Sequence, residues 1–291
     1  MKENKISIIG GDLRIVKLIE ILSHDGYSVF TYGLEKAENL KKDEKIVGDL
    51  SLEEVIASSR IIIAPIPFSS NGIQINTPFS DEKIAIEELI SQIKNKIFIA
   101  GSIKPEIKEK LEQNGNMVID LMQREELAVL NTVSTAEGAI QIAIEQTART
   151  IHGSKVLVMG FGRVGKILAH MLEGIGANVY CEARKNTDIA WIKAYGYQAI
   201  YLNELEKHLD KFDVVINTIP SMILDEKRLD RLKEDCLIID LASNPGGVDM
   251  KQAKQKGIKV IWALSLPGKV APITSAEFIK ETLYNIFQEV S

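Results

Sequence analysis

The chain has 291 residues, 45% of them apolar and 26% charged, and a formal net charge of −5. That length accommodates two domains with substantial cores, and an acidic chain without a concentrated basic stripe argues against nucleic acid as a partner. The apolar runs read as too short for a membrane span. The four histidines (His24, His152, His170, His208) and two cysteines lack metal-ligand spacing, so neither a membrane nor a metal is expected.

Met1-Lys2-Glu3-Asn4-Lys5 leads directly into a strand with no secretory signal, which points to a cytoplasmic protein. Lys5 to Gly11 (Lys-Ile-Ser-Ile-Ile-Gly-Gly) reads as a buried strand ending in a glycine turn. Leu13 to Leu22 has helical periodicity, and Tyr27 to Tyr32 is a second strand. Further strands are Ile61 to Ile66, Ile97 to Ala100 and Met117 to Leu121. Short apolar runs alternating with amphipathic segments indicate parallel β-α-β units whose sheet is covered on both faces.

Ser134-Thr135-Ala136-Glu137-Gly138 follows, and then Ala139 to Thr150 with strong helical character. Ser134 or Thr135 suits an N-cap, and Glu137 serves equally as the acid of a capping box or as a functional side chain. The remainder repeats the first half. Val156 to Gly160 answers Ile6 to Gly10, and Asp213 to Pro220 answers Arg60 to Pro67. Leu237 to Asp240 answers Ile97 to Ala100, and Lys259 to Trp262 answers Asn116 to Ile119. Cys181 and Cys236 fall in apolar strand-like runs, as buried free thiols rather than a disulfide. Ser275 to Gln288 closes the chain as an amphipathic helix. The fold class is therefore α/β, with two doubly wound parallel-sheet domains in tandem; two halves of one large sheet is the alternative. The expected division is 1–133 for the first domain with 275–291 packing back on it, 134–150 as an interdomain helix, and 151–274 for the second domain. The active cleft is expected between the two.

The chemistry concentrates at Lys155-Val156-Leu157-Val158-Met159-Gly160-Phe161-Gly162-Arg163-Val164-Gly165-Lys166. An apolar strand runs into Gly-x-Gly-x-x-Gly and then into a helical pattern, the context that dinucleotide binding requires. Gly160 permits the tight turn, Gly162 lets backbone approach a pyrophosphate, and Gly165 brings helix and strand together. The N–H groups at the start of the helix, from Arg163 and Val164 onward, then hold the phosphates. The first half offers only Gly10-Gly11-Asp12-Leu13-Arg14, without the third glycine, and is assigned to substrate.

Ligands of open parallel sheets bind beyond the carboxyl ends of the strands. That rule selects Asn217-Thr218-Ile219-Pro220-Ser221, where Thr218 and Pro220 would wall the nicotinamide ribose. It also selects Asp240 to Gly247, with Ser243, and the loop Ala263 to Pro272, with Lys269. At the second strand tip, Glu182-Ala183-Arg184, the count from Gly165 puts Ala183 at the position of an NAD-type acid, and Arg184 suits a 2′-phosphate. NADP is favoured over NAD, with Glu182 one residue early complicating the choice. No histidine falls in a cleft loop, so chemistry requiring a strong protein base is disfavoured, whereas oxidation of a ring that becomes aromatic needs less help. Arg14, Lys104 and Lys269 are the candidate carboxylate ligands.

Several segments together resemble the A subunits of dipicolinate synthase. They are Ile8 to Arg14, Asp120 to Asn131, Thr135 to Ile140, Gly160 to Gly165, Asp240-Leu241-Ala242-Ser243 with Pro245-Gly246-Gly247, and Leu266 to Pro272. The similarity spans essentially the full chain. The resemblance implies two Rossmann-like domains and an NAD(P)-dependent oxidoreductase converting a dihydro- or tetrahydrodipicolinate, a branch from the lysine pathway, to pyridine-2,6-dicarboxylate. It also implies that the partner is a flavoprotein B subunit and that the protein resides in the mother cell during sporulation, with a homo-oligomer left open. Thr135, Glu137, Asn217, Ser243 and Lys269 are placed near the reacting centre on this basis, with Arg14, Lys104, Asn131 and Lys269 toward substrate. The family often has Gly-Ala-Arg at the second strand tip, where this chain has Glu182-Ala183-Arg184. It tends toward Lys-Thr-Ala-Gly after the last proline, where Ile273-Thr274-Ser275-Ala276 stands here. Competing readings are a dehydrogenase of another small carboxylate, like shikimate or alanine dehydrogenases, and a non-catalytic protein that binds nucleotide and regulates its partner.

Overall fold

A computed structural model describes residues 4–38, 40 and 43–290. Met1 to Glu3, on which the reading of the N-terminus partly rests, lie outside the described residues. The chain divides into two compact units, residues 1–128 with 271–291 and residues 129–270.

The first unit holds a parallel sheet of β1 (Lys5–Ile9), β2 (Ser28–Tyr32), β3 (Ile46–Val47), β4 (Ile61–Ile63), β5 (Ile97–Ala100) and β6 (Met117–Asp120), in the order β3-β2-β1-β4-β5-β6. The second holds β7 (Lys155–Met159), β8 (Asn178–Ala183), β9 (Gln198–Tyr201), β10 (Val214–Asn217), β11 (Leu237–Asp240) and β12 (Lys259–Trp262). Its order, β9-β8-β7-β10-β11-β12, is the same 3-2-1-4-5-6 arrangement. Two separate sheets, not halves of one, account for the internal repeat.

Continuous apolar strands follow from burial on both faces. In β7, Val156 and Val158 enter the core shared with the helix Arg163–Gly174, whereas Leu157 and Met159 point to the opposite face with Phe212 and Leu205. In β1, Ile6 and Ile8 face the helix Leu13–His24, and Ile9 faces the other side. The edge strands β3 and β9 carry no clear pattern in the sequence, being short and only partly buried.

The C-terminal helix Pro272–Glu289 lays Ala276, Ile279, Leu283 and Ile286 into the core of the first unit. Arg124 clamps its end with two bonds of 2.7 Å to Glu289, and the Tyr284 hydroxyl donates to Asp25 at 2.6 Å.

Three expectations need correction. The helix placed at 134–150 begins at Glu125 and ends at Gln146, so Ser134, Thr135 and Glu137 lie inside it and form no cap or capping box. Its start is hidden in the sequence because Glu125-Glu126 is a helical first turn whose apolar face begins only at Leu127. By length and composition this helix is also apolar enough to cross a membrane, contrary to the expectation that every apolar run is too short. It is a core helix, with Ala136, Ala139, Ile140 and Ala143 packed inside the second unit. Finally, the segment carrying Lys269 is not a plain loop but a short helix, Leu266–Val270.

Candidate functional site

The β7 turn is built as its sequence dictates. Gly160 sits at φ +89°, a conformation that side chains other than glycine rarely adopt, and a Cβ there would crowd Thr218 and Ile219. A Cβ on Gly165 would overlap the carbonyl oxygen of Gly160, so only glycine lets the helix Arg163–Gly174 approach the strand this closely. Gly162 is the N-cap, makes no side-chain cap bond, and would have nothing within 4 Å of an added Cβ. The result is a helix N-terminus with no side-chain cap and open space before it, which suits a pyrophosphate. Phe161 contributes only backbone to this turn. Its ring is buried and packs against Tyr195 and Tyr197, at centroid distances of 6.2 and 6.4 Å.

The first unit resolves the corresponding turn differently. Asp12 is the N-cap of Leu13–His24, and its carboxylate accepts the Arg14 N–H at 3.0 Å and binds the Arg14 guanidinium. Arg14 also donates to the carbonyl of Ile66. The anion-binding end of this helix is thus filled by the chain's own carboxylate, and the guanidinium expected to hold substrate is engaged by it. Lys104, by contrast, is exposed at the N-cap of Pro105–Gln113, and its ammonium lies against Gly72.

At the tip of β8, the pleat separates the residues that the sequence reading tied to cofactor choice. Ala183 shares its face with Val179 and Cys181 in the core beneath the helix Arg163–Gly174. Glu182 points the other way and is 1% exposed, with Oε2 lacking any hydrogen-bond partner. Burial pushes its carboxyl up to about 7, against the lowering effects of the Gly160 N–H, Arg228 and Arg184. Arg184 and Lys185 follow, both exposed.

Beyond β10 and β11 lies a tightly bonded frame that spacing alone does not reveal. Asp240, 2% exposed, accepts from Asn217 Nδ2 at 2.8 Å, from the Ala242 N–H at 3.1 Å and from the Gly247 N–H at 2.8 Å. Asn217 is fully buried and also bonds both the N–H and the carbonyl of Ile219. Trp262 donates to Ala242 O at 2.8 Å. Asn217 therefore fixes the shape of the two loops, and Ser243 and Pro220 are among the exposed residues they present. Thr218 ties the β10 loop to β7, donating its hydroxyl to Met159 O at 2.8 Å.

The helix Glu125–Gln146 brings further candidates to this unit. Gly138 packs against Leu266, which sets the turns carrying Thr135 and Glu137 beside the short helix carrying Lys269. The Thr135 hydroxyl donates to Asn131 O at 2.8 Å, Glu137 and Lys269 are exposed, and Asn131 Oδ1 and Ser134 Oγ are buried without partners. No group of His, Cys, Asp and Glu among the described residues could hold a metal ion. Cys181 and Cys236 are buried free thiols.

A doubly wound unit with an open glycine turn and arginine at the second strand tip defines an oxidoreductase with a nicotinamide-dinucleotide-binding domain. Residues 126–247 match the family described as D-isomer specific 2-hydroxyacid dehydrogenase, NAD binding domain, and residues 5–122 match the N-terminal domain of the dipicolinate synthase A subunits. The chain is 32% identical to the dipicolinate synthase A subunit of Bacillus subtilis over 98% of its length and 96% of that protein's. It superimposes on the crystal structure of the A subunit from Bacillus halodurans with a TM-score of 0.87, at 30% identity and 97% coverage of both chains. A shikimate dehydrogenase (NADP(+)) from Shouchella clausii is 31% identical over 43% of this chain and 50% of its own length. The chain belongs to the family of dipicolinate synthase A subunits.

Proposed function

We propose that this chain is the nicotinamide-dependent component of a dipicolinate synthase, oxidising a dihydro- or tetrahydrodipicolinate to pyridine-2,6-dicarboxylate with NADP as the favoured acceptor. The observation that carries the reading is the open, uncapped helix N-terminus behind Gly160, Gly162 and Gly165, in a chain of this family. When bound, the nicotinamide supplies a hydride acceptor.

The chain's own residues do the rest. The Gly160–Gly165 backbone orients the pyrophosphate, and Arg184 binds the 2′-phosphate beside the small Ala183, where an acid would have repelled it. The relative that names NADP(+) favours the same choice. Lys269, exposed and without an acceptor among the described residues, holds a ring carboxylate. Thr135, Glu137 and Ser243 orient the ring, and Asn131 offers an unpartnered amide oxygen to its N–H. From a dihydro ring, loss of one hydride to the nicotinamide and of one proton to solvent leaves the aromatic product; a tetrahydro ring needs a second such oxidation with a second acceptor. Aromaticity drives that step, so no strong protein base is required. The partner is a flavoprotein B subunit, and the setting is the mother cell of a sporulating bacterium.

Purified chain incubated with NADP and freshly generated dihydrodipicolinate is expected to form NADPH and dipicolinate in equal amounts. Absence of both products, with nucleotide binding intact, would instead favour a regulatory nucleotide-binding role. Arg184→Ala should weaken NADPH binding about tenfold while leaving NADH within about twofold, measured by titration.

A further inference from the structure

The two sheets offer matched positions at the tips of their second strands. In the first unit, Gly10 N–H donates to Tyr32 O at 2.8 Å; in the second, Gly160 N–H donates to Glu182 O at 3.1 Å. Tyr32 and Glu182 are thus structural counterparts beside the two glycine turns, paired in register with Ile9 and Met159. The first unit satisfies its position internally. The Tyr32 hydroxyl bonds Glu82, on a segment that also bonds Lys36 through Asp81 and Glu35 through Ser80. That segment seats Thr77 against Gly10 and Gly33, covering the region where a dinucleotide would lie.

The second unit has no such strap at Glu182 among the described residues. One carboxyl oxygen is left without a hydrogen bond, and Arg228 Nε, on the helix Glu226–Leu229, is also buried without one. The charged groups facing Glu182 are Arg228 and Arg184, from the turn after β8. The strand β7 presents the Gly160 N–H, and β9 the apolar Ile200. The 3-10 turn Leu205–Lys207 brings Glu206 only toward Arg228, at 3.8 Å, and toward Lys227. A buried carboxyl next to the arginine assigned to the 2′-phosphate cannot be indifferent to that phosphate. Ionised, it repels the phosphate through a medium that screens poorly; protonated, it does not.

We propose that Glu182 is a proton-linked selector between the two nicotinamide dinucleotides, taking up a proton when a 2′-phosphate binds at the β8 tip and so favouring NADP at lower pH. The inference rests on the nucleotide reading above. Its carboxyl, already pushed up to about 7 by burial, titrates where the selection would matter.

The test uses the full chain. NADPH and NADH are titrated calorimetrically from about pH 6 to about pH 8.5, in two buffers of different ionisation enthalpy, so that bound protons are counted along with affinity. The native protein is expected to take up protons with NADPH and to lose about three- to tenfold of its NADPH-over-NADH preference across that range. Glu182→Gln, or the apolar Glu182→Met should the amide disturb folding, is expected to abolish both effects. The 2′-phosphate itself titrates near about 6, equally in all three proteins, so the difference between them isolates the side chain. Identical pH profiles and proton counts in native and substituted proteins would overturn the proposal while leaving the nucleotide site intact. Failure of either nucleotide to bind at any pH would remove the nucleotide reading and this inference with it.

Discussion

The two glycine turns show how one topology serves two purposes. Both sheets have the same strand order, and both first helices start directly after a glycine turn. In the second unit, Gly162 leaves the helix N-terminus without a side-chain cap, and Gly165 allows the helix to lie against Gly160. In the first, Asp12 stands at the N-cap, Ile15 stands where the third glycine would be, and Thr77 with Asn76 fills the space over Gly10. A helix N-terminus attracts an anion whatever its source. The first unit supplies that anion from its own chain, and the second leaves the place to a ligand.

Exchanging the third position should break this contrast most severely. Ile15→Gly should cost about 4 kcal/mol, from a core cavity and a helix glycine, without creating nucleotide binding in the first unit. Gly165→Val is expected to destabilise the protein by about 3 kcal/mol and to abolish any rise of the melting temperature with NADP, because the added side chain must displace the Gly160 carbonyl. Thermal unfolding with and without nucleotide checks both; NADP binding gained in the first unit would show that the third glycine alone separates the two.

A comparable effect, spread over a range of pH, concerns the second strand tips. The Glu182 carboxyl rises from its ordinary 4.5 to about 7 on folding. A folded-state value above the unfolded one means a contribution fully present below about 4.5 and lost as pH climbs through about 7, a change of about 3 kcal/mol. Glu182→Met should remove that loss, so native and substituted proteins diverge in denaturant midpoint between about pH 5 and about pH 8. A constant difference across the range would mean that the carboxyl does not titrate there. Asp25, Asp43 and Asp213 are shifted downward and act in the opposite sense, but they are common to both proteins.

The smallest change is at the first helix. Asp12→Ala removes the cap and the guanidinium contact, and should cost about 1 kcal/mol in a denaturant titration. It should also leave Arg14 held only by the Ile66 carbonyl, without opening a nucleotide site, since Ile15 and Thr77 remain. Tight NADP binding to the first unit of this variant would show the cap to be the sole barrier.

Much of the site is legible in the sequence because its constraints are local. Gly160, Gly162 and Gly165 follow one another within a single turn, and the apolar runs of β7, β10 and β11 announce strands buried on both faces. Other features depend on residues far apart in the chain. Asp240 meets Asn217 and Gly247 only because β10 and β11 are neighbours, so nothing in either loop marks that carboxylate as the frame of both. Asn217 reads from its position as a group near the reacting centre, yet its amide is committed to the loops. The early start of the helix at Glu125 is masked because Ser134 and Thr135 resemble caps, and only the structure shows that they lie inside a helix.

The sequence by itself determined two parallel α/β units and the tight glycine turn after β7, since hydrophobic periodicity and glycine's freedom act over a few neighbouring residues. Tertiary structure alone decided which face of β8 Glu182 occupies and what it lacks there. It also decided that the first helix is closed by its own Asp12 and that the first unit covers its second strand tip with its own chain. Those outcomes depend on strand pairing and burial, which set the partners and the dielectric surroundings of a side chain and are not encoded in its immediate neighbours.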